Sequence, residues 1–111
     1  MNNTRQQRIA QLIKKELADI FLIDATSLYH CMITVTHTNV TKDLSIARSH
    51  LSIYNAENKN AVLEAIRANT SNIRYRIGLQ LKNQLRIIPQ LEFFMDDSLD
   101  YIENIENLLK Q

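Results

Sequence analysis

The sequence predicts an α+β fold, a two-layer sandwich in which helices cover one face of a mixed three-stranded sheet. Two patterns lead to this class: apolar residues recur at helical spacing in four segments, and they alternate with polar residues in three others. The 111 residues include only one Gly and one Pro, which leaves little material for the tight turns of an all-β fold. A chain of this length suits one core, so we expect residues 1–111 to form a single domain.

The first helix is predicted over residues 5–23. Its apolar positions recur every three or four residues and form one stripe that faces the core: Ile9, Leu12, Ile13, Leu17, Ile20 and Phe21. The first half of this helix also carries four cations: Arg5, Arg8, Lys14 and Lys15. Taken alone, such charges are typical of a helix face that is exposed to solvent.

Two strands are predicted next, over residues 32–38 and 44–54. In the first, Ile33 and Val35 alternate with threonines, and β-branched residues of this kind fit a pleated surface. The second strand sends small and apolar residues to one face: Ala47, Ser49, Leu51 and Ile53. Polar residues at positions 41–43 separate the two strands, which we therefore expect to pair as an antiparallel hairpin.

Two helices, over residues 55–69 and 71–85, separate this hairpin from a third strand at residues 90–95. Because helices between neighbouring strands form a crossover, the second and third strands should be parallel. Gly78 lies inside the third helical pattern, which suggests close packing against another element or a break in the helix. Asp96, Asp97 and Ser98 offer capping acceptors to a fourth, short helix over residues 99–109.

The charge of the chain changes sign near its third strand. Residues 1–91 contain 12 Lys and Arg against 6 Asp and Glu, whereas residues 92–111 contain 1 against 6. The formal net charge of +1 therefore hides a basic body and an acidic final segment. A basic body of this kind favours an anionic partner.

Catalytic and metal sites receive little support. One carboxylate cluster resembles a divalent-metal or acid/base site: Glu92, Asp96, Asp97 and Asp100. It would suit a metal-dependent RNA hydrolase, but capping and the helix dipole explain aspartates at a helix start more simply. The histidines and Cys31 show no recognised ligand spacing, and there is no Gly-rich phosphate loop. We therefore expect no catalysis, no metal, no cofactor and no small-molecule substrate.

The chain has no sign of export or of membrane insertion. Its apolar runs are far shorter than a membrane span, and its first residues do not form a hydrophobic signal segment. A single Cys31 cannot form an internal disulfide, which fits a reducing compartment. We expect a cytoplasmic protein that contacts no membrane and, by default, a monomer.

The cations predict RNA binding, because Lys and Arg that neutralise phosphates supply most of the affinity for nucleic acids. They come from segments that are distant in sequence: Arg5, Arg8, Lys14, Lys15, Arg48, Arg67, Arg74, Arg76 and Lys82. The competing hypothesis is a protein-interaction module whose acidic last helix docks on a basic partner.

Four stretches resemble bacterial ribosome-binding factor A. Residues 89–99 match its signature strand, Pro-x-Leu-x-Phe followed by x-x-Asp-x-Ser. Arg8-Ile9 with Glu16-Leu17-Ala18 resembles the first helix of the family. Thr41-Lys42-Asp43-Leu44 with Ala47 resembles its hairpin, and Ile73-Arg74 with Gly78 its third helix. Matched motifs in the right order cover nearly the whole chain.

This resemblance implies a type II KH-like fold, αββααβ, with an added C-terminal helix. It also implies a non-catalytic assembly factor that binds the ribosomal RNA of the small (30S) subunit in late maturation. Such a factor supports processing of the 5′ end of 16S rRNA and is important in the cold. KH domains clamp RNA with a Gly-x-x-Gly loop, which this family replaces with an Ala-x-Gly kink. The corresponding residues here are Asn69, Thr70 and Ser71.

We therefore predict that RNA contacts the junction of the second and third helices together with nearby cations. The predicted phosphate contacts are Arg74, Arg76 and Lys82. A second predicted patch on the first helix consists of Arg5, Arg8 and Lys15, and Arg48 is a weaker candidate.

Overall fold

The computed structural model describes residues 4–96, and the predicted helix at residues 99–109 lies outside them. The chain forms α1 (Thr4–Asp24), β1 (Met32–Val40), β2 (Ile46–Tyr54), α2 (Lys59–Ala68), α3 (Thr70–Leu81) and β3 (Gln90–Met95). The predicted order of helices and strands is confirmed through β3, and the bounds of β3 are those predicted.

The sheet is mixed, with strand order β1-β2-β3. β1 and β2 are antiparallel, and their register shifts between Val35 and His37. β2 and β3 are parallel, with Ile46 opposite Gln90 and Leu51 opposite Met95. The two helices between β2 and β3 therefore form a crossover that joins parallel strands, as the sequence predicted.

Two helices are shorter than their apolar patterns suggest, for local reasons. α2 begins only at Lys59, because Asn58 has an extended backbone and its Oδ1 accepts a hydrogen bond from the Ala61 N–H at 3.1 Å. α3 ends at Leu81, whose carbonyl oxygen accepts hydrogen bonds of 2.8 Å from the N–H groups of both Gln84 and Leu85. The remaining chain to Pro89 forms an irregular connection that returns to the sheet.

A single π-helical turn, Ala25–Tyr29, extends α1 and leads the chain towards β1. It ends at His30, whose backbone is left-handed with φ 54°. The N–H groups of His30 and Cys31 both donate to the Ala25 carbonyl oxygen, so the carbonyl at this helix end is satisfied.

The core lies between the helices and one face of the sheet. Phe21 of α1 packs edge to face against Phe93 of β3, with 6.0 Å between ring centroids and 77° between ring planes. Ala47 and Ser49 of the middle strand are fully buried, and their short side chains let the helices approach the sheet closely. Ser49 Oγ lies 3.0 Å from Thr38 Oγ1, so its buried hydroxyl has a hydrogen-bond partner.

An ion pair joins the end of α1 to α3. Arg76 Nη1 lies 2.7 Å from Asp24 Oδ2, and Nη2 lies 3.2 Å from Oδ1, so the guanidinium binds both carboxylate oxygens. The Asp24 side chain is 9% exposed and the Arg76 side chain 31% exposed. Because Asp24 is largely removed from water, its charge depends on this partner.

Replacing Arg76 with Met is expected to lower the free energy of unfolding by about 2 to 4 kcal/mol, because the buried Asp24 carboxylate loses its partner. Urea unfolding of the purified chain measures this change. Lys82→Met removes a cation from the exposed end of the same helix and should change stability by no more than about 0.5 kcal/mol. Adding Asp24→Asn to Arg76→Met should recover part of the loss. An Arg76→Met protein as stable as the parent would contradict this account.

Gly78 lies within a continuous α3 and marks no break. A Cβ at this position would lie 3.7 Å from Ile88 Cγ1, which is an ordinary van der Waals contact. Gly78→Ala is therefore expected to raise the free energy of unfolding by about 0.5 to 1 kcal/mol, because Ala loses less backbone freedom on folding. The midpoint of urea unfolding reports the change, and a lowered midpoint would show that Ile88 cannot accommodate the added methyl group.

Candidate nucleic-acid interface

Three of the predicted RNA-binding cations lie on one exposed stripe of α1. Arg5, Arg8 and Lys15 are separated by three and seven residues, which brings them to the same side of the helix. Within residues 4–96 none of the three forms an ion pair or a side-chain hydrogen bond. An anionic partner can therefore reach these charges without breaking any contact of the described residues.

Arg5 and Arg8 open onto a cleft of about 430 Å³. The cleft lies between the first turns of α1, the hairpin turn at residues 43–45 and the connection at residues 84–89. Arg86 of that connection is a third arginine at the cleft, and it too has no ion-pair partner in the described part of the chain. Arg86 is not among the predicted contacts, because it lies in an irregular connection whose course neither helical nor strand periodicity predicts.

The hairpin turn holds one wall of this cleft in a fixed conformation. Asp43 accepts hydrogen bonds from Thr41 Oγ1 at 2.8 Å, from the Ser45 N–H at 3.1 Å and from Ser45 Oγ at 2.7 Å. Hydrogen bonds from Ser45 and Thr41 lower the pKa of the Asp43 carboxyl group, so this side chain is a carboxylate at neutral pH. Leu44 follows with φ 64°, an unusual left-handed conformation for a leucine, and its side chain lines the cleft.

A buried glutamine fixes the start of α1 against the sheet at the same end of the molecule. Gln6 Nε2 donates to the Val40 carbonyl oxygen at 3.0 Å, across 34 residues of sequence. Since Gln6 lies between Arg5 and Arg8 along α1, this contact sets the position of both arginines relative to the hairpin turn. The hydrogen bond of buried Gln6 thus fixes where the cationic stripe lies relative to the sheet.

Arg74, predicted as a phosphate contact, holds the opposite wall of the cleft. Its Nε donates to the Pro89 carbonyl oxygen at 3.1 Å, and its Nη2 donates to the Ile88 carbonyl oxygen at 2.5 Å. Arg67 also donates to a backbone carbonyl, but within β3 and away from the cleft: its Nε and Nη2 lie 3.1 and 2.7 Å from the Phe93 oxygen. These arginines satisfy backbone acceptors at the free edge of the sheet.

Other predicted contacts already have partners, with one exception. Arg76 binds Asp24 as described above, and Arg48 Nε lies 3.0 Å from Glu92 Oε1 across the parallel strand pair. Lys82, just beyond α3, is exposed and makes no contact with a carboxylate of the described residues. The predicted cations therefore divide into those that hold the fold and those that face solvent.

The junction of α2 and α3 is compact. Asn69 joins the two helices with φ −98° and ψ 10°, so its backbone is not left-handed. Its N–H donates to the carbonyl oxygens of Ala65 and Ile66, and Thr70 Oγ1 donates to the Arg67 carbonyl oxygen at 2.7 Å. Ser71 is exposed. Of the three predicted junction residues, Ser71 presents the most accessible side chain to a partner.

A row of rings crosses the outer face of the sheet, opposite the helices. His37 stacks on His50 with 4.0 Å between ring centroids, and His50 stacks on Phe94 at 5.5 Å. Asp96 lies at one end of the row, with Oδ2 3.8 Å from His37 Nδ1 and 2.6 Å from Thr36 Oγ1. Burial, followed by the neighbouring His37, lowers the pKa of His50, while Asp96 opposes the shift.

The described carboxylates do not assemble a metal site. Within residues 4–96 no group of three or more His, Cys, Asp or Glu side chains is arranged to hold an ion. Glu92 pairs with Arg48, Asp96 accepts from Thr36, and the other two members of the predicted cluster, Asp97 and Asp100, lie outside the described residues. No helix among the described residues has the length and apolar character needed to span a bilayer.

The stability of the fold is expected to fall as the pH falls below the ordinary pKa of histidine, about 6.5. The pKa of folded His50 is lowered, so the unfolded chain takes up the proton first. The contribution of neutral His50 to the stability of the fold is complete above the ordinary pKa of histidine. It is lost as the pH falls through the lowered pKa of the folded state. Urea unfolding at about pH 7.5 and about pH 5.5 measures the loss, which His50→Gln should reduce. An equal loss in both proteins would exclude His50 as the cause.

Comparison with known proteins gives one consistent result. The family model of ribosome-binding factor A matches residues 5–109. Ribosome-binding factor A of Cytophaga hutchinsonii is 39% identical over 112 residues, an alignment that covers 100% of this chain and 84% of the relative. That of Flavobacterium johnsoniae is 40% identical over 111 residues, covering 98% of this chain and 85% of the relative.

Solved structures agree in fold. The crystal structure of ribosome-binding factor A from Thermus thermophilus superposes with a TM-score of 0.65 at 20% identity, covering 81% of this chain and 94% of that one. A homology model of the Thermus thermophilus protein, fitted into a cryo-EM map of a 30S complex, also gives a TM-score of 0.65 at 22% identity, covering 84% of this chain and 96% of that one. The predicted KH-like fold is confirmed, and the chain belongs to the ribosome-binding factor A family.

Proposed function

We propose that this chain binds the ribosomal RNA of the small ribosomal subunit in the cytoplasm, as an assembly factor that makes and breaks no covalent bond. We further propose that it acts during late maturation and supports processing of the 5′ end of 16S rRNA, with its importance increasing in the cold. Family membership supports the ribosomal role. The exposed cationic stripe of α1 supports RNA as the molecule that the chain contacts.

The stripe of Arg5, Arg8 and Lys15 is the observation that carries this proposal. A cation with a carboxylate partner must lose that partner, or share it, before it can neutralise a phosphate. These three have no such partner within residues 4–96, so the whole gain from counterion release on RNA is available to binding. Lys82 meets the same condition at the end of α3, and the exposed Ser71 could add a neutral hydrogen bond at the start of that helix.

The engaged arginines have a different role in this proposal. Arg74 and Arg76 hold the connection at residues 84–89 and the end of α1, and Arg48 is neutralised by Glu92. Replacing Arg74 or Arg76 would weaken RNA binding mainly by disturbing the fold, whereas Arg48 would have to share Glu92 with a phosphate. We therefore assign the main RNA contact to the stripe on α1 and a smaller one to the junction at Asn69 and Thr70.

Two adjacent lysines of α1 provide a matched test. Lys15 lies on the stripe, whereas Lys14 is 100° away around the helix, on the far side from Arg5 and Arg8. Lys15→Gln is expected to weaken binding to purified small subunits and to reduce the slope of log K against log salt by about 0.7 to 0.9, the value of one phosphate contact. Lys14→Gln should leave this slope unchanged. Co-sedimentation over a salt series measures both.

Adding Arg8→Gln to Lys15→Gln should reduce the slope by a second, similar step. If both lysine variants and the double variant bind small subunits as the parent does, RNA contact through α1 is excluded. If the parent protein binds neither small subunits nor their RNA at low salt, the proposal fails. A basic protein partner for the acidic segment at residues 92–111 then becomes the leading hypothesis.

A further inference from the structure

The cleft at Arg5, Arg8 and Arg86 has features that phosphate neutralisation alone does not require. We propose that it receives a single unpaired nucleotide of the bound RNA. In this arrangement the arginines bind the phosphates on either side of the nucleotide, and its base lies against the apolar part of the cleft. The inference rests on the proposed RNA binding and specifies which structural feature of the RNA is recognised.

The charge of the cleft favours an anion with more than one oxygen acceptor. Three guanidinium groups line it, against the single carboxylate of Asp43, which is already bonded to Thr41 and Ser45. Guanidinium groups bind phosphate oxygens in a planar, two-pronged geometry. A cleft with three of them suits the phosphates on both sides of one nucleotide.

The rest of the lining is apolar, which a phosphate site alone would not need. Leu12, Leu44 and Ile87 are among the residues that line it, and Ile87 is 75% exposed in the absence of a partner. Apolar side chains beside cations form a surface against which the flat face of an unstacked base can lie. The volume of about 430 Å³ lies within the range of small-molecule pockets, about 300 to 1,000 Å³.

The occupant should be unpaired. In a duplex the faces of each base are covered by its neighbours, so the base cannot enter a concave site without leaving the stack. A bulged or looped nucleotide has already left the stack and can place its base in the cleft directly. The walls need little rearrangement, because Gln6, Asp43 and Arg74 hold the three elements that form them.

The test compares two RNA hairpins that differ by one nucleotide. Both have the same stem, and one carries a single bulged nucleotide. Binding of the full chain is measured by fluorescence anisotropy over a salt series. The parent is expected to bind the bulged hairpin about 5- to 10-fold more tightly, the lower end of the gain from stacking one base on an aromatic ring, because the cleft offers aliphatic contacts instead.

Separate substitutions address the apolar and cationic parts of the cleft. Ile87→Ser should reduce the preference for the bulged hairpin to near unity without changing the salt slope, since no charge is lost. Leu22→Ser removes an equally exposed apolar side chain of α1 outside the cleft and should leave the preference intact. Arg86→Gln should reduce the salt slope for the bulged hairpin by about 0.7 to 0.9, whereas Lys14→Gln should not.

The outcomes separate this inference from the function on which it rests. If the parent binds small subunits but does not prefer the bulge, or if Ile87→Ser retains the preference, the inference is overturned and the proposed function stands. If the parent binds neither small subunits nor either hairpin, both are overturned. Displacement of the bulged hairpin by an acidic, leucine-containing peptide, in a manner that Ile87→Ser abolishes, would show that the cleft binds a protein segment instead.

Discussion

The parallel pairing of β3 with β2 is the constraint on which the rest of the structure depends. A parallel partner can be reached only by a crossover, so the chain must leave the far end of β2, pass through α2 and α3, and return to the end where β2 began. The connection at residues 84–89 is this return. It therefore arrives beside the hairpin turn that precedes β2, and the contact of Gln6 with Val40 brings the start of α1 to the same end. The cleft is a direct consequence of this topology.

The arginines of the chain divide according to this arrangement. An edge strand that ends a sheet exposes backbone acceptors, and Arg67 and Arg74 satisfy those of β3 and of the segment before it. Arg76 is held by a largely buried carboxylate. Only cations outside these contacts can approach phosphates without breaking an internal interaction. Residue type alone therefore does not show which arginines are available to an anionic partner.

The two faces of the molecule differ in what they offer. The cationic stripe and the cleft lie on and beside α1, in the helical layer, whereas the outer face of the sheet carries the row formed by His37, His50 and Phe94. Stacking covers ring faces within this row, Asp96 brings negative charge to it, and Glu92 is paired with Arg48 on the same face. Phosphates would meet less favourable charge there than on α1. The helical side of the protein is therefore the more favourable one for an anionic partner.

Sequence patterns alone were enough to predict the order of helices and strands through β3, the bounds of β3, the mixed sheet and the charged side of α1. Helices, strands and the charged side of α1 follow from the spacing of residues close in sequence. The parallel pair follows from the two helices between β2 and β3, because parallel strands need a long crossover connection. The sequence also located Arg5, Arg8 and Lys15, because helical spacing places them together. Only the tertiary structure decided that Arg48, Arg74 and Arg76 are engaged internally and that Arg86 joins Arg5 and Arg8 at one cleft. Each of these contacts joins residues at least 12 positions apart, and which charges become partners depends on distances that exist only once the sheet has formed.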